Sequence, residues 1–244
     1  MCVMVNLRDS TFWTPERQRD ALIILLTLVT GSIDAIGFTR LGGVFTSVMT
    51  GNMVLLGVAA GKGDVSLAIH TGIAFLGYVV GSLIGARVAG HAQENDHLWP
   101  RSILKALLLE LVVLCVFAAW WELVSAAPIG SAEYAMLSVN AVALGVQSAA
   151  ILRFGISGLS TTYLTGTLTQ VIAGVAKRKD PVSGRSIFIL LALIVGAGFG
   201  AVLAVHQPRY APVLPIAVLA FVVTWGETVF HRRARREQLS HVVQ

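Results

Sequence analysis

The sequence predicts an all-α integral membrane protein: six transmembrane helices plus two broken or re-entrant segments, in two related halves. Hydrophobic residues make up 55% of the 244 residues and charged residues only 13%, against about a quarter in a typical soluble domain. The apolar residues come in runs of about 20, the helical length that crosses a bilayer core about 30 Å thick. None of the runs shows the strict alternation of a lipid-facing barrel strand.

Eight apolar runs follow one another, and each predicts one helical element. Before the first run, Thr14-Pro15-Glu16 is typical of a helix start, with a hydroxyl cap, a proline in the first turn and an acid near the positive helix end. A single transmembrane domain, 21–230, is expected between an N-terminal segment, 1–20, and a basic tail, 231–244. The runs span residues 21–39, 44–61, 67–90, 104–125, 134–152, 159–176, 186–205 and 212–230.

Several classes of protein are disfavoured by composition. The first twenty residues are charged and contain no short apolar core, so they do not predict a signal peptide. Cys2 and Cys115 are the only cysteines, and Cys115 lies in an apolar run, so no disulfide framework is expected. His70 has no second ligand at helical spacing, so no metal and no cofactor is predicted. The basic residues flank the apolar runs, which predicts a lipid bilayer and not a nucleic acid as the partner.

The two halves, about 21–125 and 134–230, resemble each other at an offset of 115 residues. Each half predicts a helix, a Thr–Gly segment (44–61 and 159–176), a helix of small residues and a last helix. The matched stretches are Thr46-Ser47 with Thr161-Thr162, Thr50-Gly51-Asn52 with Thr165-Gly166-Thr167, and Gly77, Gly81, Gly85 with Ala192, Gly196, Gly200.

The Thr–Gly segments decide the number of crossings. If they span the bilayer, the chain crosses eight times; if they enter and return, it crosses six times and the repeats are inverted. Cytoplasmic flanks collect Lys and Arg. With a cytoplasmic N-terminus, eight crossings put 12 of the 18 basic residues inside, and six crossings put 15 inside and move Lys62 outside. The charges therefore favour the six-crossing arrangement, and both arrangements place both termini in the cytoplasm.

The polar groups within the apolar runs gather in the first two elements of each half, where they predict a solute-binding site. A glycine among hydroxyl and amide groups favours a helix break that exposes backbone N–H groups to a polar or anionic solute. The alternative is a close helix–helix contact whose hydroxyls bond their own backbone. The candidate binding residues are Asp34, Thr46, Ser47, Thr50, Gly51, Asn52, Gln147, Ser148, Thr161, Thr162, Thr165, Gly166 and Thr167.

Asp34 is an ionisable group about 13 residues into the first run, and its counterpart in the second half is Ser148. A charge at this depth is costly and typically faces a polar interior. Asp34 is therefore the candidate coupling group of a transporter. The alternative places Asp34 in solvent at a helix end, with Arg40 as its partner. Glu110 lies five residues after Lys105 and is expected to reach the interface beside basic neighbours.

Small residues repeat every four positions in the third element of each half. They predict close packing of Gly81 and Gly196 against other helices, with contacts between the two halves. Trp99, Trp120, Trp121 and Tyr210 lie at run ends and are expected in the headgroup zone.

The chain resembles the YoaK family of bacterial membrane proteins. The resemblance rests on Gly31-Ser-Ile-Asp34-Ala-Ile-Gly-Phe38 and Thr50-Gly51-Asn52, and on Gly145-Val-Gln147-Ser148 and Thr165-Gly166-Thr167. It extends from about residue 20 to residue 230. It implies a multi-pass protein of the bacterial cytoplasmic (inner) membrane, and it brings no catalytic or binding residues.

The function predicted from these patterns is a small transporter or channel for a small polar solute, with the site between the two Thr–Gly segments. The alternatives are a membrane-embedded enzyme and a scaffold or accessory protein without a solute path. The sequence contains no Ser–His–Asp or Cys–His set and no phosphate loop, so no motif supports the enzyme alternative. The choice between a monomer and a homo-oligomer stays open.

Overall fold

The computed structural model describes residues 14–92, 98–154, 161, 164–177 and 184–232. These residues contain eight α-helices and no strand, so the all-α prediction is confirmed for the described part of the chain. A 3-10 turn, Pro208–Tyr210, precedes the last helix, and a π-helical turn, Glu227–Arg232, continues it. The helices are α1 (Pro15–Arg40), α2 (Met49–Lys62), α3 (Val65–Ala89), α4 (Arg101–Leu123), α5 (Ser131–Leu152), α6 (Leu164–Lys177), α7 (Gly184–His206) and α8 (Val213–Gly226).

Six stretches of the described chain are long and apolar enough to cross a membrane, as the sequence predicted. They are the helices α1, α3, α4, α5 and α7, and the stretch Pro208–Phe230 that contains α8. Helices α2 and α6, which carry the Thr–Gly motifs, have 14 residues each. At 1.5 Å per residue each is about 21 Å long, shorter than a bilayer core of about 30 Å.

The first helix begins as predicted, but the second begins later than its apolar run. The Thr14 hydroxyl accepts a hydrogen bond from the Arg17 N–H and caps α1. The second run starts at residue 44, whereas α2 starts at Met49. Gly42 and Gly43 have φ angles of +87° and +71°, which glycine adopts without strain. The chain turns there, and residues 44–48 fold back along α1, where the rings of Phe38 and Phe45 stack with their centroids 5.2 Å apart.

Glycine faces hold the two halves together, which confirms the packing prediction for Gly81 and Gly196. A methyl group on Gly81 would lie 2.1 Å from the carbonyl oxygen of Val142 on α5. One on Gly196 would lie 2.2 Å from the carbonyl oxygen of Leu28 on α1. These distances require direct contact between helix backbones, which dispersion forces favour in a membrane.

The glycine contacts also give the helix directions. Along α3, Gly77, Gly81 and Gly85 face Ser138, Val142 and Val146 of α5, so both numbers rise together and the helices are parallel. Gly196 and Gly200 of α7 face Leu28 and Ser32 of α1 in the same way, so α7 is parallel to α1.

The end of α1 and the start of α3 lie at one face of the molecule, which we call the Arg40 face. Gly42, just after α1, touches the ring of His70 in the second turn of α3. Arg40 donates a 3.0 Å hydrogen bond to the carbonyl of Ala126, which follows α4. The chain between α1 and α3 therefore begins and ends at this face, and α2 does not carry it across.

The second half behaves in the same way at the opposite face, which we call the Asp20 face. Arg153, after α5, donates to the Ser102 hydroxyl at the start of α4, so α5 ends where α4 begins. Helix α7 begins there too, because Arg185 lies 3.4 Å from Asp20 near the start of α1. The chain between α5 and α7 thus returns to the Asp20 face, which supports six crossings over eight.

Two of the four aromatic residues expected in the headgroup zone are buried instead. Trp99 and Trp121 are fully buried, whereas Tyr210 is 57% exposed. The Trp121 ring N–H donates to the carbonyl of Pro208, 2.8 Å away. Trp99 stacks on Phe230 and contacts Phe154. The expectation was wrong for these two because a run end that packs on neighbouring helix ends is not exposed to lipid.

Candidate functional site

The carboxylate of Asp34 is the centre of the first candidate site. It accepts hydrogen bonds from the Thr46 N–H (2.7 Å), the Thr46 hydroxyl (2.9 Å) and the Ser47 N–H (2.8 Å). The Ser47 hydroxyl is a fourth donor. Asp34 is 6% exposed, and Arg40 donates to the Ala126 carbonyl instead, so the alternative of a solvated Asp34 beside Arg40 was wrong. The carboxylate therefore links the non-helical segment that contains Thr46 and Ser47 to α1.

Asn52 of α2 binds the backbone of the same segment. Its side-chain oxygen accepts from the Phe45 N–H (3.1 Å), and its side-chain nitrogen donates to the Phe45 carbonyl (2.5 Å). This pair satisfies both backbone groups of a residue that belongs to no helix, as a membrane interior requires. Asp34 and Asn52 therefore hold residues 45–47 in a fixed conformation.

The helix break was expected at the Thr–Gly motif, but in the first half it lies upstream of it. Thr50 and Gly51 belong to the first turn of α2, and the irregular backbone is at residues 41–48. Thr50 is exposed and Gly51 half-buried. The nearest atoms to a methyl group on Gly51 would be 3.4 Å away, which is an ordinary contact. The motif glycine is thus not a site of close backbone approach here.

In the second half, the candidate residues lie on α5, on α6 and in the chain between these helices. The Gln147 side-chain nitrogen donates to the Thr30 hydroxyl, 2.8 Å away, and to the Leu26 carbonyl. The Ser148 hydroxyl donates to the Leu144 carbonyl of its own helix. Thr167 is buried, Thr165 is exposed and Gly166 is half-buried. Thr162 lies outside the described residues.

Thr46 and Thr161 occupy matching positions but differ in their partners. The Thr46 hydroxyl donates to Asp34. The Thr161 hydroxyl is buried and has no hydrogen-bond partner among the described residues. The counterpart of Asp34 is Ser148, whose hydroxyl is used within its own helix. At the position that matches Asp34, the second half therefore has a hydroxyl in place of the carboxylate.

The structure brings Asp34, Thr46, Ser47 and Asn52 together and places Gln147 against a different part of α1. Helix α2 packs on α3, and α6 packs on α7. Among the described residues, no hydrogen bond joins the side chains of α2 to those of α6. The meeting of the two Thr–Gly segments at one site stays a prediction.

Glu110 and Asn140 are buried polar residues that the sequence reasoning did not include in the site. Glu110 is 0% exposed, and neither carboxylate oxygen has a hydrogen-bond partner in the part of the chain that the structure describes. The expectation that Glu110 reaches the interface was therefore wrong. Its spacing from Leu107 and Leu114, three and four residues away, could have indicated a core-facing position. Asn140 is also fully buried, and both polar atoms of its side chain lack partners.

Comparisons with known proteins agree with the predicted YoaK-like resemblance and confirm it. A family model described as "Protein of unknown function (DUF1275)" matches residues 22–225. The chain is also similar to the "UPF0700 transmembrane protein YoaK" of Bacillus subtilis (strain 168), with 32% identity over 203 residues. That alignment covers 81% of this chain and 88% of the relative. No solved structure matches the chain.

Proposed function

This chain belongs to the DUF1275 family, and from its geometry we propose that it is a small transporter or channel for a small polar solute. The proposal rests on two half-length helices, α2 and α6, in segments that enter from opposite faces and return. Interrupted helices with polar surroundings are typical binding elements of transporters built from inverted repeats. The proposal assigns the chain no catalytic step and no cofactor.

Matching contacts support two inverted halves as the basis of the proposal. A methyl group on Gly31 would meet the Leu193 carbonyl, and one on Gly145 would meet the Tyr78 carbonyl. Gly31 and Gly145 are 114 residues apart, and Tyr78 and Leu193 are 115 apart. Helices α1 and α5 run in opposite directions, so the Gly31–Leu193 contact and the Gly145–Tyr78 contact have opposite orientations, as inverted repeats require.

The difference between the halves suggests where a solute binds. In the first half, the Asp34 carboxylate accepts from the Thr46 hydroxyl and two backbone N–H groups. In the second half, Thr161 has a buried, unpartnered hydroxyl and Ser148 stands in place of the acid. A buried donor without an acceptor is unfavourable, so a solute carboxylate fits there. We therefore propose that the solute carries a small anionic group.

We expect carboxylates to stabilise the wild-type protein through this site. In a thermal-shift assay with acetate, lactate and succinate, at least one should raise the melting temperature above that in chloride of equal ionic strength. Ser148→Asp should remove this increase, because the new carboxylate would occupy the solute position as Asp34 does in the first half. Thr161→Val, which lacks the hydroxyl donor, should weaken the increase.

The matched control for Ser148→Asp is Ser148→Ala, which should keep the carboxylate effect. No stabilisation of the wild type by any of the three acids would contradict an anionic solute. An unchanged effect in folded Ser148→Asp protein would contradict its position. Spin labels at Asn52 and Thr167 test the shared site: a separation above about 15 Å exceeds the reach of a small-solute pocket and would exclude it.

The proposed location is the bacterial cytoplasmic membrane, with the Asp20 face and both termini in the cytoplasm. With six crossings, 15 of the 18 basic residues fall on the Asp20 side, and cytoplasmic flanks are rich in Lys and Arg. The remaining three are Arg40, Lys62 and Arg209.

Cysteine labelling should confirm this orientation. In a Cys2→Ser, Cys115→Ser background, Lys62→Cys should react with a membrane-impermeant maleimide in intact cells. Arg101→Cys, at the start of α4, should react only after permeabilisation. The reverse pattern would contradict this arrangement and favour eight crossings, which place Lys62 in the cytoplasm. Labelling of both positions in intact cells would contradict a membrane crossing by α3.

A further inference from the structure

Glu110 lies on the face of α4 that points into the centre of the helix bundle. Ile103, Leu107 and Leu114 share this face, since they lie seven and three residues before it and four after it. All three belong to the core cluster that also contains Leu26 of α1. With 0% exposure, Glu110 is an acid among apolar side chains, remote from water.

Two amides of α5 are candidate polar neighbours of Glu110 along the bundle. Ser102 bonds Arg153, and Ala106 shares a packed cluster with Val146 and Ala150, so α4 and α5 are antiparallel in that register. Glu110, one turn beyond Ala106, therefore lies level with the part of α5 between Asn140 and Gln147. These two residues are seven apart, on one face of α5.

Each of these three side chains has unused hydrogen-bonding capacity. Five of their polar atoms are buried and have no hydrogen-bond partner among residues 14–92, 98–154, 161, 164–177 and 184–232: both oxygens of Glu110, both polar atoms of Asn140 and the side-chain oxygen of Gln147. The nitrogen of Gln147 reaches the Thr30 hydroxyl of α1. Protein interiors rarely leave so many polar atoms without hydrogen bonds in one region. This points to a ligand or a water molecule that these atoms bind.

No charge compensates Glu110 in the described structure. Helix α8 carries no ionisable side chain, and Glu133 of α5 pairs with His70 at the Arg40 face. Asp34 of α1 is bonded to the re-entrant segment. The other ionisable groups of α3, α4 and α5, none hydrogen-bonded to Glu110, are Tyr78, Arg87, Arg101, Lys105, the exposed Cys115, Glu122 and Tyr134.

We propose that Glu110 is a proton-binding site, with Asn140 and Gln147 as the polar groups that connect it to the rest of the bundle. A bare carboxylate in this surrounding costs several kcal/mol, and a proton from the aqueous phase removes that cost by forming the neutral acid. The side-chain oxygens of Asn140 and Gln147, which have no partner among the described residues, are the candidate acceptors for the acid O–H. Release of the same proton regenerates the carboxylate, so the site can load and unload one proton without any other reactant.

Infrared spectroscopy of the protein in a detergent without ester or carboxyl groups tests this inference without any solute. The wild type at neutral pH should show the carbonyl-stretch band of a protonated carboxylic acid, and Glu110→Gln should lack it. Asp34→Asn is the matched control and should keep the band, because the Asp34 carboxylate already has four donors. A band that persists in Glu110→Gln, or its absence from the wild type, would overturn the inference.

Isotope labelling keeps the test valid if Glu110→Gln does not fold. In wild-type protein, carbon-13 in the glutamate carboxyl groups should shift the band, and the same label in aspartate should leave it unchanged. Glu110 is the one glutamate that is fully buried among the described residues. A shift with aspartate alone would overturn the inference, and neither result depends on the proposed transport function.

Discussion

Gly81→Leu and Gly196→Leu are each expected to remove most of the folded protein. At both positions the first side-chain carbon alone would lie within 2.3 Å of a backbone carbonyl oxygen on the facing helix, at 2.1 Å and 2.2 Å respectively. Backbone cannot move aside as a flexible side chain can, so the helix pairs α3–α5 and α1–α7 must separate. Overpacking of a core costs about 1–3 kcal/mol or more, and here it also removes the contacts between the halves.

The measurement is folded yield by size-exclusion chromatography, followed by thermal stability in detergent. The same helices offer matched controls, because Gly72 of α3 and Gly198 of α7 have nothing within 4 Å of an added methyl group. Gly72→Leu and Gly198→Leu should fold normally, since leucine is a better helix former than glycine. Equal yields from all four variants would contradict the glycine contacts as the basis of the fold.

Asp34→Ala is expected to release the first re-entrant segment. The substitution leaves two hydroxyls and two backbone N–H groups without their acceptor. Hydrogen bonds to a charged group contribute about 1.5–3 kcal/mol each, and a buried donor left without an acceptor costs about 1–3 kcal/mol. We therefore expect a large fall in the melting temperature of Asp34→Ala. If the variant still folds, a Val48→Cys substitution added to it should become reactive toward maleimide, because the segment is released.

Two further substitutions give this prediction a scale. Asp34→Asn keeps one carbonyl acceptor and should lose less stability than Asp34→Ala. Asp64→Ala removes an exposed cap that accepts from the Leu67 N–H, which is typically worth about 1 kcal/mol. If Asp34→Ala is no more destabilising than Asp64→Ala, the four hydrogen bonds do not hold the segment.

The two Thr–Gly segments show how far sequence patterns reach. Polarity and the repeat singled out Asp34, Thr46, Ser47 and Asn52, which the structure brings together. The partners themselves could not be predicted, because Asp34 meets Thr46 only after two glycines of positive φ reverse the chain. The position of the break, at residues 41–48 and not at Gly51, follows from the same turn.

The sequence by itself determined the properties that depend on one stretch of chain at a time. Run length and apolarity predict which helices can cross a bilayer, basic flanks favour six crossings, and small residues at every fourth position predict close packing. Only the tertiary structure decided which helices are neighbours, and with that the burial of Glu110, Trp99 and Trp121. Hydropathy states how apolar a helix is but not which direction each face points, and direction settles whether a polar group meets lipid, water or another helix.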